Sequence, residues 1–323
     1  MTEIVTVDIG GTHARFAIAA LQDGRVAGLS DELVLRTAEY AALEAAWQTY
    51  GDRIGRPLPK AAAIALACPI QDEVMTLTNS SWTLRPALIG EQLGLDRITL
   101  VNDFAAVAHA VAQASPGDLR HLCGPDIGLP DRGVVSVVGP GTGLGVAALL
   151  RTAGNYHVLP TEGGHSDFAP LDALEEALVA RLRRRHRRVS VERVVAGPGL
   201  AEFYAALASV EGKVVEAPDD RELWTAALKG VEPLAAAALE RFCRSLGAVS
   251  GDIALVQGAA AVVIAGGLGL RLAEHLPQSG FQSRFVAKGR FETLMANMPV
   301  KLMTHPQPGL FGAAVAFAKE HRT

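Results

Sequence analysis

The sequence predicts an α/β protein, and three observations carry that prediction. Short apolar runs that fit buried strands alternate along the chain with helical patterns, the arrangement of α/β proteins. Two apolar segments, one at the N-terminus and one near residue 140, are each broken by glycines and a threonine, the pattern of a strand, a tight turn and a second strand. The runs AAAIALACP and ITLV are apolar almost without interruption, as in a sheet covered on both faces.

The elements follow in order. EIVTVDIGGTHARFAIAAL is a strand stopped at Gly10-Gly11-Thr12 and resumed at Arg15-Phe16-Ala17-Ile18. Gly51–Lys60 is rich in Pro, Gly and charge and reads as a loop. Ala61–Pro69 and Ile98–Val101 read as buried strands, with a helix over Phe104–Ala114 directly after the second. VVSVVGPGTGLGVAALL, residues 134–150, repeats the opening pattern, ending a strand at Gly139 and turning through Gly141-Thr142-Gly143. Two such hairpins in one chain point to a duplicated half-unit. From Asp172, DALEEALVARLRRR places Leu174, Leu178 and Leu182 four residues apart, with Glu175 and Glu176 early and arginines late. That is an amphipathic helix whose charges complement its dipole. Glu216–Asp220 is a second loop, and Glu232–Asn297 holds further helix, a strand at Val262–Ile264 and a glycine turn at Gly266-Gly267.

Composition bounds the function. A chain of 323 residues makes about two domains at roughly 150 residues each. Hydrophobic residues at 49% and charged residues at 20% exclude a disordered chain. The net charge of −4 provides no field drawing the protein to nucleic acid or to an anionic membrane. Cys68, Cys123 and Cys243 are far apart, which excludes a zinc cluster and a disulfide framework and fits a reducing cytoplasm. Asp8 interrupts any signal-peptide core. Gly133–Leu150 and Ile253–Leu270 are uncharged and long enough to span a membrane, but their glycine clusters read as strand-turn-strand, so no membrane association is expected.

Several segments hold residues able to do chemistry. In Asp8-Ile9-Gly10-Gly11-Thr12 the glycines let backbone N–H groups approach a phosphate, Thr12 adds a hydroxyl donor, and Asp8 can hold Mg²⁺ through water. An ordinary hairpin turn would look the same. Gly139-Pro140-Gly141-Thr142-Gly143-Leu144-Gly145 fits neither the dinucleotide fingerprint nor a Walker loop. Together the two turns read as a grip on a phosphate chain from two sides. Asn102-Asp103 lies where a strand meets a helix, as an N-cap or as a carboxylate placed for general base work. Leu159–Pro170 packs Glu162, His165 and Asp167 around glycines, either as a solvated turn or as groups suited to a polyhydroxylated ligand. The basic run Arg181–Arg188 reads as a solvated helix end.

These pieces together resemble the bacterial glucokinases of the sugar kinase/actin/Hsp70 superfamily. The matching segments are DIGGTHARFAI, ALACPI with LTNSSW, VNDFAAV, GPGTGLGVA, LPTEGGHSDFAP, VSVERVVAGPGL, VIAGGL and PGLFGAA, in family order over nearly the whole chain. The resemblance implies a two-domain actin-like ATPase fold, a duplicated ribonuclease H-like unit, around an interdomain cleft. Residues 1–113 with 307–323 would form the small domain and 114–306 the large one. It implies transfer of a phosphoryl group from ATP, with Mg²⁺, to the 6-hydroxyl of glucose, the first step of glycolysis. In that frame Asp103 is the catalytic base, and Asn102, Glu162, His165 and Glu192 hold sugar hydroxyls. Asp8 to Thr12 and Gly141, Thr142 and Gly143 are the phosphate turns, with Asp8 near the metal. Gly266 and Gly267 belong to the adenosine loop. The family frame also implies a cytoplasmic homodimer.

Two departures bear on nucleotide affinity: His13 stands where the family often has Asn, and Pro140 stiffens the second turn. The cysteine-rich zinc motif of the ROK branch is absent, which points to the zinc-free branch. The chain opens on its first strand, so the helix-turn-helix of ROK repressors is not expected. The rival readings are a kinase for another hexose or one using polyphosphate, a non-catalytic sugar sensor, and a nicotinamide dehydrogenase. The dehydrogenase is disfavoured by the failed fingerprint spacing.

Overall fold

The computed structural model describes residues 1–68, 73–76, 82–213, 215 and 219–321. The end of the expected strand 61–69, most of LTNSSW and part of the loop 216–220 lie outside the described residues. The chain divides into two compact units, Met1–Ser115 with His305–Thr323, and Pro116–Thr304.

In the first unit β1 (Thr2–Ile9) and β2 (His13–Gln22) form the expected hairpin, extended by β3 (Arg25–Arg36). The helix α1 (Leu43–Ile54) precedes β4 (Ala61–Leu66), which lies parallel to β1. A small ribbon, β5 (Met75–Thr76) with β6 (Thr83–Leu84), and α2 (Pro86–Gln92) lead to β7 (Arg97–Asn102) and α3 (Asp103–Gln113). The sheet order is β3-β2-β1-β4-β7. All six side chains of β4 are buried, as its unbroken apolar run requires of a central parallel strand. On one face Phe16 stacks on Tyr50 with ring centroids 5.0 Å apart and meets Trp47 edge-on.

The second unit opens with β8 (Leu119–Cys123) and repeats the plan. β9 (Gly133–Pro140), β10 (Leu144–Thr152) and β11 (Asn155–Thr161) form an antiparallel meander. Helices α4 (Ala173–Arg183), α5 (Val191–Val195), α6 (Gly199–Val210), α7 (Asp220–Lys229) and α8 (Pro233–Gln257) follow. Next comes β12 (Ala259–Ile264), parallel to β9, then α9 (Gly266–Arg271), α10 (Phe281–Val286), α11 (Glu292–Ala296) and β13 (Val300–Met303). The sheet order is β11-β10-β9-β12-β13-β8. Apart from β8, strand order and direction match those of the first sheet, so the duplication read from the two glycine hairpins is a duplication of topology. The last helix, α12 (Pro308–His321), belongs to the first unit and packs on α3.

Several sequence expectations are corrected. Gly51 to Ile54 is the last turn of α1, closed by Gly55 in the left-handed conformation (φ 66°), so only 55–60 is loop. Gly266-Gly267 is the first turn of α9 rather than a free glycine turn. The segment Ile253–Leu270 is therefore helix, strand and helix, not strand-turn-strand. Residues 159–161, expected in a loop, complete β11. The basic run leaves the helix after Arg183. Among the described residues no helix is long and apolar enough to cross a membrane.

Candidate active site

Parallel strands present their C-terminal ends to ligands, and the register shows what stands at those ends in the first unit. Ile9 pairs with Leu66, and Leu66 with Asn102, so the ends of β1, β4 and β7 are level. With neighbouring strands ~4.8 Å apart, the Asp8–Thr12 turn and the Asn102-Asp103 junction occupy one sheet edge, two strands apart. The turn is closed by Gly10 N–H donating to the His13 carbonyl at 2.9 Å. Thr12 is exposed at its tip, with Oγ1 3.0 Å from His13 Nδ1.

The capping reading of Asn102-Asp103 falls to Asn102, and Asp103 follows it at the start of the helix. Asn102 is the N-cap: its Oδ1 accepts from Phe104 N and Ala105 N, each at 3.0 Å, and its amide nitrogen lies 3.5 Å from the Cys68 carbonyl. Asp103 is the first residue of α3, with Oδ1 accepting from Phe104 N at 2.7 Å. A carboxylate there is favoured by the helix dipole.

Asp8 has a partner the sequence reading missed. Arg15 Nη1 lies 3.3 Å from its Oδ2, because the hairpin register places the two residues opposite each other. Burial pushes the Asp8 carboxyl above the usual carboxylate range, and the Arg15 guanidinium only partly offsets that shift. Counting back from the Gly10-Gly11-Thr12 turn was the available signal.

In the second unit the groups converge on the second glycine turn. Gly141 N–H donates to the Gly143 carbonyl at 2.8 Å, and Gly197 N–H to the Gly141 carbonyl at 2.8 Å. Glu192, on α5, accepts from Leu144 N at 3.0 Å through Oε2. A Cβ on Gly143 would stand 2.6 Å from that oxygen. Gly164 lies against the Leu144 carbonyl, where a Cβ would come within 2.2 Å. Gly266, at φ 80°, packs on the Pro140 carbonyl, 2.9 Å from where its Cβ would be. Gly164 and Gly197 stood inside quoted motifs but had no assigned role. Only contacts across tens of residues reveal one.

Glu162 and His165 lie just past β11, both largely exposed, with His165 Nε2 3.9 Å from Glu162 Oε2. Their loop is clamped to the segment that leads into Glu192. Phe168 N donates to the Val189 carbonyl at 3.0 Å and Val191 N to the Ser166 carbonyl at 2.8 Å. Arg188 Nη2 donates to the His165 carbonyl at 2.6 Å, and its Nε lies 3.3 Å from Asp167 Oδ1. The tail of the basic run therefore fastens this loop instead of merely facing solvent. Behind it, the buried Glu175 accepts from Leu171 N, Ser245 and Arg284.

The donor set fits a nucleotide-borne Mg²⁺. Asp8 brings one carboxylate to the end of β1 beside the Gly10–Thr12 turn, and Mg²⁺ takes one or two carboxylates while keeping waters and phosphate oxygens. Among the described residues no group of three or more His, Cys, Asp or Glu could form an all-protein cage.

A two-unit α/β chain with a glycine turn at the strand ends of each half has the architecture of the actin-like ATPases, the fold of the ROK-family sugar kinases. A crystal structure of a ROK family glucokinase from Streptomyces griseus, in complex with glucose and AMPPNP, covers 98% of this chain and 99% of its own at a TM-score of 0.64 and 19% identity, a likeness of fold. A crystal structure of glucokinase from an Antarctic psychrotroph covers 100% of both chains at a TM-score of 0.86 and 32% identity. The glucokinase of Zymomonas mobilis is 59% identical over 319 residues, 99% of this chain and 98% of that one. The glucokinase family model matches residues 5–320. The chain belongs to the glucokinase family.

Proposed function

We propose that this enzyme, which phosphorylates glucose with ATP, uses Asp103 as the base that accepts the 6-hydroxyl proton while that oxygen attacks the γ-phosphate. One observation carries the reading. Asp103 begins α3 at the same sheet edge, and at the same level, as the Asp8–Thr12 turn. Phosphoryl transfer needs positioning and charge neutralisation more than covalent help. The backbone N–H groups of Gly11, Thr12, Thr142 and Gly143 cradle phosphate oxygens around turns that the Gly10 and Gly141 N–H groups close, and Gly266 and Gly267 accommodate the adenosine. Glu162, His165 and Glu192 hold sugar hydroxyls, and Asn102, its Oδ1 engaged in the cap, offers its amide N–H. Asp8, backed by Arg15, is the residue that would hold Mg²⁺. Bound there, the ion would offset phosphate charge. Cys68, Cys123 and Cys243 form no disulfide among the described residues, which supports a reducing, cytoplasmic setting. The family supports a homodimer.

Steady-state kinetics with ATP and Mg²⁺ on glucose, mannose, fructose and N-acetylglucosamine test the reading, with polyphosphate as an alternative donor. Glucose with ATP should give the highest kcat/KM. A higher value for another hexose, or with polyphosphate, would overturn the assignment of this site.

A further inference from the structure

Asp8 stands on β1 and Asp103 begins α3, yet one helix touches the supports of both. At its N-terminal end α12 places Gly309 against the Asp8 carboxylate, so closely that a Cβ there would lie 2.7 Å from Oδ2. In the next turn Gly312 packs on α3, where a Cβ would come within 1.7 Å of the Ala106 carbonyl, three residues past Asp103. Two hydrogen bonds pin the helix to the same pair of strands. The buried Thr6 hydroxyl on β1 donates to the Leu310 carbonyl at 2.7 Å. The Thr99 hydroxyl on β7 donates to Glu320 at 2.5 Å. Strand β1 ends at Asp8 and Ile9, and β7 runs directly into Asp103.

We propose that α12 is the spacer that sets Asp8 and Asp103 in register for the reaction, with Gly309 and Gly312 as its positioning residues. The inference rests on the base and metal roles proposed above. The two glycines act differently. An alanine at 309 meets the far end of a side chain, so the Asp8 carboxylate swings away while the backbone stays. An alanine at 312 meets a backbone carbonyl, so α3 must move off α12 and carry Asp103 with it. Interiors pack too tightly to absorb such a shift locally, and a misplacement of about 1 Å can cost roughly 10²-fold in rate.

The test compares Gly309→Ala, Gly312→Ala and a control, Gly247→Ala. Gly247 lies in α8 of the second unit and is as crowded, its Cβ falling 2.2 Å from the Phe281 carbonyl. Each variant is measured for Tm, for kcat, and for glucose and ADP·Mg²⁺ binding by calorimetry. Gly312→Ala should lower kcat by about 10²-fold while glucose affinity changes less than about threefold. Gly309→Ala should weaken ADP·Mg²⁺ binding by roughly tenfold, an effect visible without turnover and equal to about 1.4 kcal/mol. Gly247→Ala should lower Tm and leave kcat and both affinities unchanged. If Gly312→Ala does not fold, Thr6→Val and Thr99→Val take its place, and a several-fold loss of kcat at unchanged glucose affinity is then required. Folded Gly309 and Gly312 variants, or folded threonine variants, with wild-type kcat and affinities would overturn the spacer even if Asp103→Ala were inactive. An active Asp103→Ala would instead remove the base reading beneath it.

Discussion

Each glycine hairpin is closed by a glycine N–H on a carbonyl across the turn, three residues on in the first and two in the second, and the two differ further in where their charge comes from. In the first, Gly10 N–H reaches the His13 carbonyl at 2.9 Å, and the acid Asp8 stands on the hairpin's own strand with Arg15 opposite. In the second, Gly141 N–H reaches the Gly143 carbonyl at 2.8 Å, and its strands β9 and β10 bring no acid to the turn. The acid there is Glu192, which arrives from α5 and accepts from Leu144 N. A duplicated backbone has thus been given chemistry locally in one half and by tertiary contact in the other. The first arrangement suits the metal and phosphate contacts proposed for Asp8 and its turn. The second ties the turn to the loop whose Glu162 and His165 are proposed to hold sugar, since Glu192 accepts from Leu144 N at the turn and its segment clamps that loop.

The largest effect should come from the half with local charge. Asp103→Ala should lower kcat by roughly 10²–10⁴, with glucose KM within a few-fold and only a small fall in Tm from the lost helix-dipole contact, read from coupled ADP release and thermal melts. Near-normal turnover in the folded variant would place the reacting carboxylate elsewhere. Next comes the borrowed acid. A hydrogen bond to a charged group is worth about 1.5–3 kcal/mol, so Glu192→Gln should raise glucose KM by roughly 10–100-fold. Because Glu192 also binds Leu144 N, the ATP KM should rise too, by a smaller factor. An unchanged glucose KM would break the link between turn and sugar.

A smaller effect probes the clamp. Arg188 is exposed, and exposed pairs contribute about 0–1 kcal/mol. Arg188→Ala should therefore raise glucose KM only about two- to fivefold and leave the ATP KM alone. Arg188→Lys should recover part of the loss, because a lysine can reach the His165 carbonyl but not Asp167 at the same time. An equal rise in both KM values would mean that the clamp serves the whole unit rather than the sugar loop.

The same contrast separates what the sequence made legible from what it did not. Local charge was readable: Gly-Gly-Thr between apolar runs announces a turn, and Asp8 lies two residues before it. Arg15 was readable by register and was overlooked. Asn102-Asp103 was readable as a junction, and the structure assigns the cap to Asn102. Charge brought by tertiary contact left no local signal. Glu192 was reached through family resemblance, because 48 residues separate it from Leu144. Gly164 and Gly309 are needed for close approach to groups distant in sequence, which no spacing rule reports. β3 escaped notice for another reason. It is an edge strand with most side chains exposed, so it lacks the apolar run that marked β4 and β7.

The smallest effect on activity belongs to a residue that touches no substrate, and it sharpens the comparison in stability instead. On α3, six residues after Asp103, burial lowers the His109 pKa to about 4, with repulsion from Lys319 on α12 adding to the shift. In the second unit the buried Glu175 is held by Arg284 and Ser245. In the unfolded chain the His109 imidazole titrates near 6.5. Between these values the unfolded chain takes up a proton that the folded chain declines. The stability His109 contributes is therefore complete above pH ~6.5 and is lost as pH falls towards ~4, at up to about 1.4 kcal/mol per pH unit. Urea unfolding at about pH 7 and about pH 5 should show this loss in the wild type. It should be smaller in His109→Gln, whose kcat at about pH 7 should stay within twofold. Equal losses in the two proteins would mean that the ring is protonated in the folded α3, and that the acid sensitivity of this unit lies with another group.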